Sequence, residues 1–272
     1  MTVTANNSVG ARATLNVSAI STVLCDADGT LFPSEEPAYV ASASITRAFA
    51  DEYGITGDFS ADHLRRTGTG RNFRSLTSAL LDEAGIDARA DDVAAWIERE
   101  RLAVTDHLAN TLRPDPEVIA VTNRLLRRYR LAVVSSSATP RLLACLRASD
   151  LAETFAASDV FSAEDSLPAP ASKPDPAIYR HALMTLNVTR HECVVLEDSS
   201  TGVKSAVAAG IQTIGIVVFV AADERPERVS ELFAAGASLV VSSWADLAAV
   251  LLPESAGSTG VGDNRLRGAS ST

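Results

Sequence analysis

Apolar positions along the chain follow two rhythms. Short unbroken apolar runs, "AISTVLC" at 19–25, "LAVVS" at 131–135, "CVVLED" at 193–198, "TIGIVV" at 213–218 and "SLVVSS" at 238–243, predict buried strands. "ETFAASDVF" at 153–161 offers one more. Between the first two strands the spacing is helical only. It predicts helices over 40–53, stopped by Gly54, over 73–84, stopped by Gly85, and a longer one through Val93, Ile97, Val104 and Leu108. Beyond Pro116 helix and strand alternate, beginning with an amphipathic helix through Val118, Leu125, Leu126 and Tyr129. Apolar strands separated by helices predict an α/β fold: a Rossmann-like parallel sheet covered on both faces, with ligands at the carboxyl ends of its strands.

This pattern divides the chain into a core at 19–32 and 114–252, an inserted all-helical block at 33–113, and loose ends at 1–18 and 253–272. The 272 residues are 46% hydrophobic and 21% charged, the balance of a globular protein. No apolar run is long enough for a membrane helix, and the first 18 residues lack the apolar stretch of a secretory signal. A net charge of -10 argues against general binding to nucleic acid or anionic lipid. Cys25, Cys145 and Cys193 are odd in number and lie in apolar surroundings, which suits reduced core thiols and a cytoplasmic protein.

The first strand ends on charge. In "VLCDADGTLF" Asp26 and Asp28 follow the apolar run directly, where an open parallel sheet has its ligand crevice. Alone, the pair could equally shape a turn before Gly29. Three further features weigh against that. "LAVVS" ends on Ser135, with Ser136 and Ser137 behind it, so a hydroxyl and successive N–H groups can face an anion. "SKPDPAIY" sets Lys173 before Pro174, with Asp175 and Pro176 at the start of a helix. Lys173 and Lys204 are the only lysines in an arginine-rich chain. Finally, "CVVLED" ends on Glu197 and Asp198, a second acidic pair at the same sheet edge. Singly, Ser135 could cap a helix, Lys173 could be solvated and the acidic pair could be a helix cap. Together they suit Mg²⁺ and a phosphoryl group, since hard carboxylate oxygens bind the one and cations the other.

The ordered set "DADGTL", "VVSSS", "SKPDP" and "LEDSSTGV" resembles the haloacid dehalogenase superfamily, in its phosphatase and phosphomutase branch. The resemblance spans residues 20–245 and implies that Asp26 is the nucleophile and Asp28 the general acid/base. It further implies that Ser135 and Lys173 bind the phosphoryl oxygens, with Ser136 beside them. Mg²⁺ would be held by Asp26, the main-chain carbonyl of Asp28, Glu197 and Asp198. Dehalogenases of the superfamily carry a tyrosine where Asp28 stands, so phosphoryl transfer is the expectation. Cys25 replaces the usual aromatic residue, a change in packing.

The helical block is similar to the small cap of phosphoglycolate phosphatases and beta-phosphoglucomutases. There the Gly-containing loop in "LRRTGTGRNFR" makes Arg71 the candidate for a remote substrate phosphate, ahead of Arg65, Arg66 and Arg74. The reading that follows is a Mg²⁺-dependent phosphatase of a small phosphorylated metabolite. A phosphomutase and a non-enzymatic phospho-aspartate signalling module are the alternatives; a helical insert directly after the first strand speaks against the last. Trp96 and Trp244 read as packing residues, and the four histidines form no metal-ligand pattern.

Overall fold

A computed structural model describes residues 10–11, 15–67 and 72–253 of the chain. Its core is a seven-stranded sheet in the order β1-β7-β6-β5-β2-β3-β4. The strands are β1 (Gly10–Ala11), β2 (Thr22–Cys25), β3 (Arg130–Ser135), β4 (Val160–Ser162), β5 (Cys193–Glu197), β6 (Gln212–Ile216) and β7 (Leu239–Val241). All neighbours pair in parallel except β1, which runs antiparallel to β7. Parallel strands need crossover helices, and these cover both faces. On one face Val23, Cys25, Val133 and Leu196 pack against Val118 and Leu125 of α5 (Pro116–Leu125), Leu142 and Leu146 of α6 (Thr139–Ala148), and Trp244 and Leu247 of α10 (Trp244–Leu251). On the other, Leu24, Val134 and Val195 meet Ile178, Tyr179 and Ala182 of α7 (Ala177–Leu186) and Ala206 of α8 (Ser200–Ala208). The alternation of Val23 and Cys25 with Leu24 is the two-residue period of a strand buried on both faces.

Between β2 and α5 the described residues form four more helices: α1 (Glu35–Tyr53), α2 (Ala61–Thr67), α3 (Phe73–Ala84) and α4 (Ala90–Thr111). α1 and α4 pack along each other. Phe49, Phe73, Leu81 and Trp96 form a separate small core, in which Phe49 meets the Trp96 ring edge-on at 5.8 Å between centroids. Val104 and Leu108, farther along α4, join the main core instead, so this helix anchors the insert to the sheet domain. α9 (Arg225–Ala235) completes the chain order between β6 and β7.

The first segment departs from expectation. Residues 1–18 were expected to be loose, yet Gly10 and Ala11 pair with Val240 and Leu239, and Leu15 and Val17 are buried in the main core. Strand pairing holds Gly10 and Ala11, and burial holds Leu15 and Val17. The tail from residue 254 lies outside the described residues. Cys25, Cys145 and Cys193 are all buried free thiols. No helix of the described residues is long and apolar enough to cross a membrane.

Candidate active site

Register decides what meets at the sheet edge. Cys25 lies opposite Val133 on one side and Leu196 on the other. The residues just past those positions, Asp26, Ser135, Glu197 and Asp198, are therefore neighbours at the carboxyl ends of β2, β3 and β5. Because β2 sits between β3 and β5, the chain's winding reverses here, and a crevice opens at such a point.

Lys173 organises the centre. It is buried, and its ammonium donates to Asp26 Oδ1 at 2.6 Å, Glu197 Oε1 at 2.6 Å and the Val134 carbonyl at 2.8 Å. Three N–H groups thus meet three acceptors, which fixes the amine. Burial disfavours its charge, but Asp26 and Glu197 outweigh that and hold the pKa above its ordinary value. Glu197 is fully buried and accepts two further bonds, from the Tyr179 hydroxyl to Oε1 at 2.8 Å and from Ser199 Oγ to Oε2 at 3.1 Å. The Lys173 ammonium also lies 5.1 Å from the centroid of the Tyr179 ring.

Glycines permit two close approaches. A Cβ on Gly202 would lie 2.0 Å from the Glu197 carboxylate, and one on Gly29 would lie 2.2 Å from Asp198 Oδ2. Gly29 also has φ +78°, a backbone state that side chains resist. Asp198 accepts from Thr30 Oγ1 at 3.1 Å, and its carbonyl accepts from Arg228 Nη1 at 3.0 Å.

Asp26, Glu197 and Asp198 each present a carboxylate oxygen, all within 4.8 Å of one another. One ammonium cannot balance three buried carboxylates, and Arg228 approaches Asp198 only to 3.9 Å. Burial first, and then the neighbouring acids, push Asp198 well up and Asp26 up to about 8, with Lys173 pulling Asp26 the other way. A hard oxygen set with surplus negative charge fits a divalent cation such as Mg²⁺.

Asp28 stands apart from this cluster. Its carboxylate accepts from Ser34 Oγ, from Ser137 Oγ at 2.7 Å and from Arg141 Nη2 at 3.0 Å. Burial acts to raise its pKa, but the Arg141 charge and the three hydrogen bonds outweigh it and hold the group below its ordinary value. The Ser135 hydroxyl accepts from the Ser137 N–H at 3.1 Å, and Ser136 Oγ accepts from the Lys173 N–H at 3.3 Å, which joins the β3 loop to the lysine segment.

Arg71 lies outside the described residues. Of the other insert arginines, Arg65 pairs with Glu224 of the core at 2.9 Å, Arg66 pairs with Asp62 at 3.1 Å and Arg74 is exposed. Sequence reasoning passed over Tyr179, Thr30, Ser34, Arg141 and Arg228. Only Tyr179 carried a signal: six residues after Lys173, it falls on the first turn of the helix the lysine segment leads into.

The model of the haloacid dehalogenase-like hydrolase family matches residues 20–210. The chain belongs to that family. Among curated members, the phosphorylated carbohydrates phosphatase of Thermotoga maritima is 29% identical over 197 residues, covering 72% of this chain and 84% of its own. The plasmid-encoded phosphoglycolate phosphatase of Cupriavidus necator is 31% identical over 242 residues, covering 85% and 93%. Among solved structures of these hydrolases, a CbbY variant from Rhodobacter sphaeroides in complex with xylulose-(1,5)bisphosphate superposes with a TM-score of 0.66 at 26% identity. That match covers 84% of this chain and 96% of the other.

Proposed function

We propose that this haloacid dehalogenase-like hydrolase is a Mg²⁺-dependent phosphatase of a small phosphorylated metabolite, acting through an aspartyl-phosphate on Asp26. The observation that carries the reading is the buried Asp26 carboxylate, bound by Lys173 at 2.6 Å and set among Glu197 and Asp198. Asp26 attacks phosphorus and the bond to the leaving oxygen breaks, while Asp28, which must enter this step protonated against the pull of Arg141, gives that oxygen its proton. Asp28 then takes a proton from water, the water oxygen attacks phosphorus, and the bond to Asp26 breaks. Ser135 and Lys173 bind the phosphoryl oxygens, Ser136 holds the lysine segment against them, and Lys173 orients Asp26. Asp26, the Asp28 carbonyl, Glu197 and Asp198 would hold Mg²⁺, which would offset the repulsion between carboxylate and phosphate dianion.

The names of the relatives support a phosphorylated sugar or short phosphorylated acid as substrate; the contact to its far end is assigned to Arg71 of the insert on its place in the sequence. The two-part division, a core at 19–32 and 114–252 with a cap at 33–113, belongs to the same reading, as does a cytoplasmic setting. The test is release of free phosphate from p-nitrophenyl phosphate and from a panel of phosphorylated metabolites. Turnover is expected with Mg²⁺, not with chelator, and Asp26→Asn is expected to abolish it. Near-normal rates in that variant, or full turnover in chelator, would sink the proposal. Isomerised hexose phosphate in place of free phosphate would make the enzyme a mutase.

A further inference from the structure

Arg141 is the described cation nearest the proton donor of the proposed reaction. It sits in the first turn of α6, with Nη2 3.0 Å from Asp28 Oδ1. Solvent reaches both side chains, at 23% and 22% exposure, whereas Asp26 and Lys173 are nearly closed off at 10% and 5%. The pair therefore faces the open side of the site. A phosphate monoester must place phosphorus at Asp26 and its leaving oxygen at Asp28, so its organic part begins at Asp28 and extends away from Asp26. The guanidinium lies one hydrogen bond beyond that oxygen.

Asp28 takes the Arg141 Nη2, while the Nε is buried without an acceptor among the described residues, so the exposed edge of the guanidinium is the part a substrate can meet. On the insert side the Glu100 carboxyl of α4, whose pKa burial raises, lies within the field of Arg141. Glu164 also lies within its field, but Arg74 and Arg101 act on that carboxylate as well.

We propose that Arg141 is a specificity-determining residue that receives a carboxylate carried on the carbon next to the ester oxygen, so that the preferred substrates are short phosphorylated hydroxy acids. The inference rests on the phosphatase reading and narrows it. An anion so close to the leaving oxygen is within reach of Arg141 and forms a charge-assisted, fork-shaped pair, which a neutral alcohol cannot. A remote second phosphate would pass beyond this residue.

The test compares kcat/KM for 2-phosphoglycolate and for ethyl phosphate, which differ by that carboxylate, in the wild type, Arg141→Met and Arg141→Lys. The wild type should prefer 2-phosphoglycolate. Arg141→Met should lose roughly ten- to a hundredfold more on 2-phosphoglycolate than on ethyl phosphate, chiefly through KM, and Arg141→Lys should recover part of the difference. Equal losses on both substrates would reduce Arg141 to a holder of Asp28 and overturn the proposal. So would a wild type without the preference, a result that stands even if the variants fail to fold. A selective loss on a hexose bisphosphate alone would also overturn it. If the wild type shows no Asp26-dependent hydrolysis of p-nitrophenyl phosphate, the phosphatase reading itself falls and this inference with it.

Discussion

Gly202→Ala probes the buried cluster without replacing any charged group. The added methyl would stand 2.0 Å from the Glu197 carboxylate, far inside ordinary contact at 3.4–4 Å. Gly202 is on α8, capped by the bond from its own N–H to Ser199 Oγ at 3.0 Å, so the helix resists retreat. The carboxylate must therefore move by more than an ångström, which breaks its bonds from Lys173 at 2.6 Å and Tyr179 at 2.8 Å. Charge-assisted hydrogen bonds are worth about 1.5–3 kcal/mol each, and overpacking alone costs about 1–3 kcal/mol. A loss of about 4–9 kcal/mol is expected, or a fall in Tm of roughly 8–36 °C for a chain of this size. Displacing Glu197 also pulls Lys173 from Asp26, so phosphatase activity should drop further than stability explains at assay temperature. Urea denaturation and initial rates at 20 °C read the two effects. Gly85→Ala is the control, since a Cβ there meets nothing within 4 Å and only the positive φ opposes it. If Gly202→Ala costs no more than Gly85→Ala and keeps full activity, the close packing of Gly202 on Glu197 does not hold the site together.

Two further outcomes follow from the same cluster. Tyr179→Phe keeps the ring beneath Lys173 but removes one of the donors to Glu197, so it should lose about 1.5–3 kcal/mol in urea denaturation, with the circular dichroism spectrum unchanged; an unaltered midpoint would show the hydroxyl to be dispensable. Asp26 and Asp198 hold protons in the folded, metal-free protein that the unfolded chain releases near 3.8, so the folded state binds more protons and stability in chelator should fall as pH rises from about 4 toward 8. Mg²⁺, if it binds there as proposed, must displace those protons, and its stabilising shift in Tm should be larger at pH 8 than at pH 5. Equal shifts at the two pH values would argue that the carboxylates are already ionised before the ion binds.

Much of this arrangement could be read from residue order, because parallel strands with apolar runs leave little freedom about where their ends lie. Once β2, β3 and β5 are recognised, Asp26, Ser135 and Glu197 must share an edge, and the α3 boundaries at Phe73 and Ala84 followed directly from the pattern. The strand at Val160–Ser162 was faint because three residues carry no periodicity. β1 was invisible for the same reason, with only Gly10 and Ala11 to mark it. Arg141 could not be picked out, and Tyr179 only by its spacing from Lys173, since each sits on a helix among ordinary neighbours. Only the tertiary contact, with Asp28 in one case and Glu197 in the other, gives them meaning. Arg65 shows the converse: a basic residue beside a loop of interest is turned to Glu224 of the core.

The two-residue strand at the start of the chain has a consequence for handling the protein. β7 would otherwise be the rim of the sheet, and its residues Leu239, Val240 and Val241 are all apolar and buried. An uncovered rim of that kind offers unpaired N–H and C=O groups to any other chain with a free strand, a route to aggregation. Gly10 and Ala11 occupy those groups from within the same molecule. At the opposite rim, β4 is only three residues long, too short to recruit a partner readily. Trimming the chain ahead of Leu15 to tidy an expression vector would leave every group of the proposed site in place while exposing a sticky margin. Such a shortened protein should be judged by its solubility before its activity.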